Sequence, residues 1–128
     1  MRVLVDTHAF LWWVEGTRAL PARARAALAD PDNECLISIA SAWELAIKAG
    51  LGKLKLSLPV RRFVVENVAA NGFRILEIGI AHVGRVETLA AHHGDPFDRL
   101  LIAQALEENL TIVTADPVFR KYGVKRIW

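Results

Sequence analysis

The chain has 128 residues, of which 53% are hydrophobic and 23% charged, so it is long enough for one packed core and too short for two ordinary domains. We therefore expect residues 1–128 to form a single domain. Its 16 lysines and arginines against 14 aspartates and glutamates leave a net charge of +2, which excludes the charge imbalance of a histone-like or disordered basic protein.

The cysteine content and the lengths of the apolar runs indicate in which cellular compartment the protein is expected. One cysteine, Cys35, excludes an internal disulfide framework and a multi-cysteine zinc site, and a free thiol suits a reducing compartment. No apolar run approaches the roughly 18 residues of a membrane span, and the strand-like run after Met1 is too short for a signal peptide. We therefore expect a cytoplasmic protein that does not enter a membrane.

The first half of the chain alternates between strand and helix patterns. Residues 2–5 are apolar and β-branched, which predicts a strand, while Pro21 suits the first turn of a helix of alanines and arginines. Gly16 ends one predicted helix and Gly50 another. In this half we predict strands at residues 2–5 and 35–38 and helices at 9–14, 21–28 and 41–50.

The second half continues this alternation. Asn71-Gly72 is typical of a helix end, and Asp95-Pro96 of a helix start, because Asp caps a helix and Pro suits its first turn. In this half we predict helices at 58–68, 81–91, 97–107 and 119–122 and strands at 73–78, 111–114 and 124–128.

The order of these elements indicates the fold class. Strands alternate with helices from end to end, and each strand is a continuous apolar run, as in a parallel sheet that is covered on both faces. The expected fold is therefore α/β, a three-layer α/β/α sandwich with a central, mostly parallel sheet.

Four acidic residues lie next to predicted strand ends. Asp6 follows the first strand, Glu44 lies in the first turn of the helix after the second, and Asp116 follows the strand at 111–114. Asp98 lies in the first turn of a helix that leads back into that strand. Because right-handed crossovers bring the ends of parallel strands to one edge of the sheet, we expect all four carboxylates there.

Each acid taken alone has a local structural explanation. Ser41 and Glu44 match a capping box, and Asp95, a fifth carboxylate, is interpreted as the N-cap before Pro96. Crowded carboxylates, however, repel one another unless a cation lies between them. Mg²⁺ or Mn²⁺ suits an all-carboxylate site, and no histidine or cysteine spacing favours zinc. Such an ion beside a mildly basic surface suggests hydrolysis of a phosphodiester.

Four segments together resemble the motifs of a known family. They are Val5-Asp6-Thr7-His8, Ala42-Trp43-Glu44, the run DPFDRLLIAQA at 95–105, and Val113-Thr114-Ala115-Asp116. This combination resembles PIN-domain ribonucleases, specifically the toxins of VapBC-type toxin-antitoxin pairs, and the resemblance extends over essentially the whole chain. The run at 95–105 is long and specific, whereas a single acid after a strand is weak evidence.

The resemblance implies a ligand set, a reaction and partners. It implies four residues that are catalytic and that also bind Mg²⁺ or Mn²⁺: Asp6, Glu44, Asp98 and Asp116. The hydroxyls of Thr7 and Thr114 are implied to lie beside them. The implied reaction is endonucleolytic cleavage of RNA by the toxin of a type II system. The implied partners are the RNA substrate, a second copy in a homodimer, and a VapB-type antitoxin whose C-terminal segment lies across the acidic groove.

Several basic and aromatic residues keep two interpretations open. Arg99 either contacts a phosphate or an antitoxin carboxylate, or is an exposed helical arginine. Lysines 48, 53 and 55 and the basic C-terminal region either line an RNA path or are solvated. His8, His92 and His93 lie near the expected rim, and none stands out as a base. The four tryptophans favour core or subunit contacts over base stacking.

Other functional classes fit less well or stay open. Gly50–Lys53 faintly resembles a phosphate-binding loop, but Ile47 and Leu54 stand where the loop needs glycine and a hydroxyl. A phosphoaspartyl phosphatase expects a second acid where His8 stands, and a receiver domain expects an acidic pair where only Asp6 is present. Two alternatives stay open: a non-catalytic RNA- or protein-binding module of the same fold, and a PIN-type RNA-processing nuclease without an antitoxin.

Overall fold

A parallel sheet forms the middle layer of the protein. The computed structural model describes residues 1–128 and contains the strands β1 (Arg2–Val5), β2 (Glu34–Ser38), β3 (Arg74–Leu76), β4 (Thr111–Val113) and β5 (Arg126–Ile127). They form one sheet in the order β3-β2-β1-β4-β5, and every neighbouring pair is parallel. The predicted parallel sheet is confirmed, and no strand in it is antiparallel.

Helices connect the strands. They are α1 (Thr7–Glu15), α2 (Ala22–Ala29), α3 (Ile39–Gly50), α4 (Val60–Ala70), α5 (Ile80–Glu87), α6 (Pro96–Glu108) and α7 (Val118–Lys121). None of these helices has the combination of length and apolar character needed to cross a membrane.

Two apolar layers lie on opposite faces of the sheet. Val3 and Val5 of β1 pack in one layer with Phe10 of α1, whereas Leu4 packs in the other layer with Ile102 of α6. Successive side chains of a strand point to opposite faces, so this split places one layer on each side of β1. The predicted three-layer α/β/α sandwich is therefore confirmed.

The start of α3 differs from the prediction. The helix begins at Ile39 rather than Ser41, because the Ser38 hydroxyl oxygen accepts a hydrogen bond of 2.9 Å from the Ala40 N–H and caps the helix. The capping box interpreted from Ser41 and Glu44 is therefore wrong. Glu44 lies in the second turn of the helix, not the first.

Three other elements are shorter than predicted. The helix expected at 81–91 is α5 and ends at Glu87, and the strands expected at 73–78 and 124–128 are the short strands β3 and β5. Both strands lie at edges of the sheet, where a strand has a partner on one side only. Fewer ladder hydrogen bonds are therefore available to extend them.

The topology brings the ends of the central strands together. The Asp6 N–H, directly after β1, donates to the Val113 carbonyl oxygen at the end of β4 (3.1 Å). Helices α1 and α3 begin at the same edge, after β1 and β2, and α6, which leads back to β4, begins there as well. Any site at this edge can therefore draw on three helix starts and the turn after β4.

Candidate active site

A polar cavity of about 160 Å³ lies at the carboxyl ends of the central strands. No apolar side chain lines it. Its lining residues are Asp6, Thr7, His8, Glu44, Lys48, Asp95, Asp98 and Asp116. The four acids predicted to lie on one edge are thus neighbours, and we call this cavity the carboxylate pocket.

Asp6 is held at both carboxylate oxygens. Its Oδ1 caps α1 by accepting from the Ala9 N–H at 2.8 Å, and its Oδ2 accepts from the Thr114 hydroxyl. Burial raises the pKa of Asp6 above its ordinary value, and these two hydrogen bonds oppose the shift. The position of this carboxylate is therefore fixed from two different elements.

Glu44 is the most buried acid of the pocket, with 7% of its surface exposed. Its Oε1 accepts from the Thr7 hydroxyl at 2.7 Å, and its Oε2 pairs with the Lys48 ammonium at 2.6 Å. The Ser41 hydroxyl lies 3.0 Å from that of Thr7. Glu44 therefore uses both oxygens within the protein and fixes an ammonium group in the wall of the pocket.

Asp98 lies in the first turn of α6. Its backbone N–H donates to Asp95 Oδ1 at 2.9 Å, which confirms Asp95 as the N-cap. Its Oδ2 lies 3.2 Å from His93 Nε2, and its Oδ1 has no hydrogen-bond partner within the protein. Burial raises the pKa of Asp98 to about 6, and the negative charge of Asp95 acts in the same direction.

Asp116 is an exposed residue in the turn between β4 and α7. Its Oδ1 accepts from the Val118 N–H at 2.9 Å, and its own N–H donates to the Thr114 hydroxyl oxygen at 3.2 Å. The Arg126 guanidinium donates to the Thr114 carbonyl at 3.0 Å and supports the same turn. Asp116 Oδ2 has no hydrogen-bond partner within the protein.

The other residues that the sequence left open are now placed. Lys48 lines the pocket, whereas Lys53 and Lys55 are exposed in the loop after α3. Arg99 donates to the Ala90 carbonyl at 2.9 Å and to other oxygens of the same loop, so it is not a free surface arginine. His8 lines the pocket, and His93 contacts Asp98.

The tryptophans divide into two groups. Trp12, Trp13 and Trp128 are partly buried and pack against the core, in line with the preference for core or subunit contacts over base stacking. Trp43 is 53% exposed and packs edge-on against Phe97, with 5.1 Å between the ring centroids. It is therefore not a core residue of this chain.

The donor set of the pocket suits a hard cation that keeps part of its water shell. The pocket offers carboxylate oxygens, and burial raises the pKa of two of the acids, so a positive charge placed there would be stabilised. No three acidic, histidine or cysteine side chains converge closely enough to coordinate one ion directly. The carboxylate oxygens themselves are the donor type that Mg²⁺ and Mn²⁺ prefer, and the lining has no cysteine that would favour zinc.

Comparison with known proteins gives a family and related structures. A model of the PIN domain family matches residues 3–125. Ribonuclease VapC22 of Mycobacterium tuberculosis is 30% identical over 121 residues, which cover 94% of this chain and 91% of that protein.

Solved structures support the fold. A chain of VapBC2 from Rickettsia felis, bound to a promoter DNA fragment, gives a TM-score of 0.72 at 16% identity, with 100% of both chains covered. A chain of DNA-bound VapBC from Salmonella typhimurium gives 0.68 at 17% identity, with 98% of this chain and 96% of that one covered.

Proposed function

The chain belongs to the PIN domain family, and on that premise we propose that it is a divalent-metal-dependent endoribonuclease, the toxin of a type II toxin-antitoxin pair. The observation that carries this proposal is the carboxylate pocket, in which Asp6, Glu44, Asp98 and Asp116 meet without any apolar side chain. An all-polar, acid-lined cavity is poorly suited to an apolar ligand and well suited to a cation with a phosphate.

The four acids together would hold Mg²⁺ or Mn²⁺. When bound, such an ion lowers the pKa of a water molecule and neutralises negative charge on the phosphate undergoing hydrolysis. Asp98 and Asp116 each retain one oxygen with no partner in the protein, so these oxygens are available without breaking a hydrogen bond. Asp6 and Glu44, whose oxygens are all held within the protein, contribute negative charge to the same pocket.

Lys48, Thr7 and Thr114 have supporting roles around these acids. Lys48 carries an ammonium group that Glu44 holds in the wall of the pocket, and its charge attracts the phosphate backbone. The Thr7 and Thr114 hydroxyls keep Glu44 and Asp6 in place. The protein contributes pre-organised charge, which stabilises a phosphodiester transition state more effectively than mobile solvent does.

The proposed partners are RNA, a VapB-type antitoxin and a second copy of this chain. The Rickettsia and Salmonella relatives were solved as VapBC complexes, which supports an antitoxin partner for this chain. We expect the C-terminal segment of the antitoxin to cover the carboxylate pocket. We also expect this chain to act as a homodimer in the cytoplasm, where its RNA substrate lies.

RNA cleavage by the purified protein, freed of antitoxin, tests this function. A panel of structured RNAs is incubated with the protein and Mg²⁺, Mn²⁺ or EDTA. Asp98→Asn is assayed in parallel to reveal any contaminating nuclease. The matched control is Asp32→Asn, which changes an exposed acid outside the pocket. We expect metal-dependent cleavage that is lost in Asp98→Asn and retained in Asp32→Asn.

Three results would contradict the proposal or a part of it. RNA binding by a folded protein, with no cleavage in any metal, would favour a non-catalytic binding module of the same fold. Cleavage that persists in EDTA and in Asp98→Asn, and that scales with the amount of this protein across independent purifications, would remove the carboxylate pocket from the reaction. If the protein cleaves RNA but no antitoxin binds and inhibits it, an RNA-processing nuclease would be favoured instead.

A further inference from the structure

A chain of hydrogen bonds leads from α7 to Asp98. Tyr122, directly after α7, places its hydroxyl oxygen 2.8 Å from His93 Nδ1. The other ring nitrogen of His93, Nε2, lies 3.2 Å from Asp98 Oδ2. His93 lies in the loop between α5 and α6, so residues from three separate parts of the fold meet here.

A count of donors around the Tyr122 hydroxyl favours one position for the imidazole proton of His93. The Tyr122 hydroxyl oxygen accepts the Arg99 guanidinium N–H at 3.2 Å and the His93 backbone N–H at 3.2 Å. A hydroxyl has two lone pairs and one proton, so its own O–H remains to donate to His93 Nδ1. Nδ1 is then an acceptor, and a neutral imidazole carries its proton on Nε2, which donates to Asp98 Oδ2.

Arg99 anchors this arrangement. Its guanidinium donates to the Ala90 carbonyl at 2.9 Å, to the Val86 carbonyl at 3.4 Å and to the Tyr122 hydroxyl. The loop that carries His93 is therefore tied to α6 by the residue that follows Asp98. These contacts give Arg99 a structural role in holding the loop.

From this geometry we infer that Tyr122 and His93 are positioning residues for Asp98. The Tyr122 hydroxyl fixes the His93 tautomer, and His93 Nε2–H holds Asp98 Oδ2, which leaves Oδ1 as the oxygen available to a cation. The link to a cation rests on the proposed function, whereas the tautomer does not. Partners of this kind orient a metal-binding carboxylate, and their loss typically weakens metal affinity by about 10- to 100-fold.

The tautomer is measured on the full chain, free of metal and substrate. Long-range ¹H–¹⁵N correlation spectra of histidine-labelled protein distinguish protonated Nε2 from protonated Nδ1, and the signals of His93 are assigned by their absence in His93→Gln. We expect the Nε2–H form in the wild type. Tyr122→Phe, which keeps the ring and removes the hydroxyl, is expected to give a mixture of both tautomers.

Isothermal calorimetry of Mn²⁺ binding measures whether Tyr122 and His93 position the Asp98 carboxylate for a cation. We expect Tyr122→Phe and His93→Leu to weaken binding by about tenfold or more, while His93→Gln, whose amide still donates, stays closer to the wild type. The matched control is His92→Asn, because His92 packs edge-on against Tyr122 at 4.8 Å and makes no hydrogen bond to Asp98. If Tyr122→Phe does not fold, the two His93 variants still give the answer.

The outcomes separate this inference from the proposed function. An Nδ1–H tautomer in the wild type would overturn the inference whatever the protein does with RNA. Equal Mn²⁺ affinities for wild type, Tyr122→Phe and His93→Leu would also overturn it. The expected tautomer and affinities in a protein that cuts no RNA would leave the inference standing and would overturn the nuclease.

Discussion

In the carboxylate pocket, Asp6 and Glu44 engage all their carboxylate oxygens in hydrogen bonds or ion pairs within the protein. In contrast, Asp98 and Asp116 each use one oxygen and leave one without a partner. Glu44 is buried, Asp6 and Asp98 are half-buried and Asp116 is exposed. We call Asp6 and Glu44 the scaffold wall, because their oxygens are all held, and Asp98 and Asp116 the open wall, because each presents a free oxygen.

This difference follows from the elements that supply the acids. Asp6 caps α1 and Glu44 lies in the second turn of α3, where hydroxyls of Thr7 and Thr114 and the ammonium of Lys48 form hydrogen bonds with them. Asp98 and Asp116 lie near loops and are approached from one direction only. The comparison teaches that acids in one cavity differ in how many oxygens the protein itself uses. Among the four proposed ligands, we expect Asp6 and Glu44 also to set the shape of the pocket, and Asp98 and Asp116 to supply its free oxygens.

The largest expected effect is on RNA cleavage by variants of the two walls. Asp98→Asn is expected to lower cleavage by roughly 10²- to 10³-fold, the scale for losing one pre-organised group that stabilises transition-state charge. Glu44→Gln is expected to lower it by about tenfold, because the amide still accepts from Thr7. Initial rates at saturating Mn²⁺ measure both. Equal losses in the two variants would mean that the two walls do not differ in function.

A second effect concerns the hydroxyl that links the walls. Thr114 is fully buried, and its hydroxyl donates to Asp6 and accepts from the Asp116 N–H. Thr114→Val should lower the free energy of unfolding by about 1–3 kcal/mol, because the partly buried Asp6 carboxylate and the Asp116 N–H both lose a hydrogen-bond partner. Urea denaturation measures this change, with Thr114→Ser as the variant that keeps the hydroxyl. A stable Thr114→Val protein would show that the walls do not depend on this link.

A third effect is the pH dependence of stability without metal. The pKa of Asp98 is raised from 3.8 to about 6 in the folded protein, so the native state binds this proton more tightly than the unfolded state does. Its stabilising contribution is complete below pH 4 and is lost as the pH rises through about 6. Asp98→Asn should therefore be more stable than the wild type at pH 7 by roughly 1–2 kcal/mol.

Thermal and urea denaturation in EDTA from pH 3.5 to 7.5 measure that difference, which should disappear near pH 4. A variant less stable than the wild type at pH 7 would show that the ionised Asp98 is not a source of repulsion. Added Mn²⁺ should reverse the order of stability, since only the wild type keeps the full ligand set.

The smallest effect comes from the ammonium in the scaffold wall. Lys48→Met removes a positive charge 2.6 Å from Glu44, so a bound cation no longer faces a like charge. We expect Mn²⁺ affinity to rise by about two- to fivefold, the scale of a partly exposed charge pair, whereas the exposed Lys55→Met should not change it. Calorimetric titration measures both variants. Weaker binding by Lys48→Met would mean that Lys48 chiefly holds Glu44 in position.

Much of the pocket was predictable from the sequence. Asp6 and Asp116 follow strands, and right-handed crossovers bring such positions to one edge, so their proximity follows from topology alone. The Glu44–Lys48 ion pair could also be predicted from a helical pattern, since residues four apart lie next to each other on a helix. Periodicity and connectivity are local or topological properties that a single sequence carries.

The contacts that position Asp98 were not predictable. His93 and Tyr122 are 29 residues apart, and no repeat or spacing relates them. Their contact exists because α7 and the loop before α6 pack at the same corner of the fold, which is a tertiary property. The start of α3 was misplaced for a different reason: three nearby residues, Ser38, Ser41 and Glu44, all suit a helix start, and only backbone geometry selects Ser38.

The position of β1 at the centre of the sheet has a consequence for synthesis of the protein. The Asp6 carboxylate and the Thr114 hydroxyl that holds it are 108 residues apart, and β1 pairs with β4 only after residues 111–113 exist. A nascent chain therefore carries its first catalytic candidate from the start and has no closed pocket until the end. The scaffold wall can therefore assemble only after residues 111–114 have been synthesised.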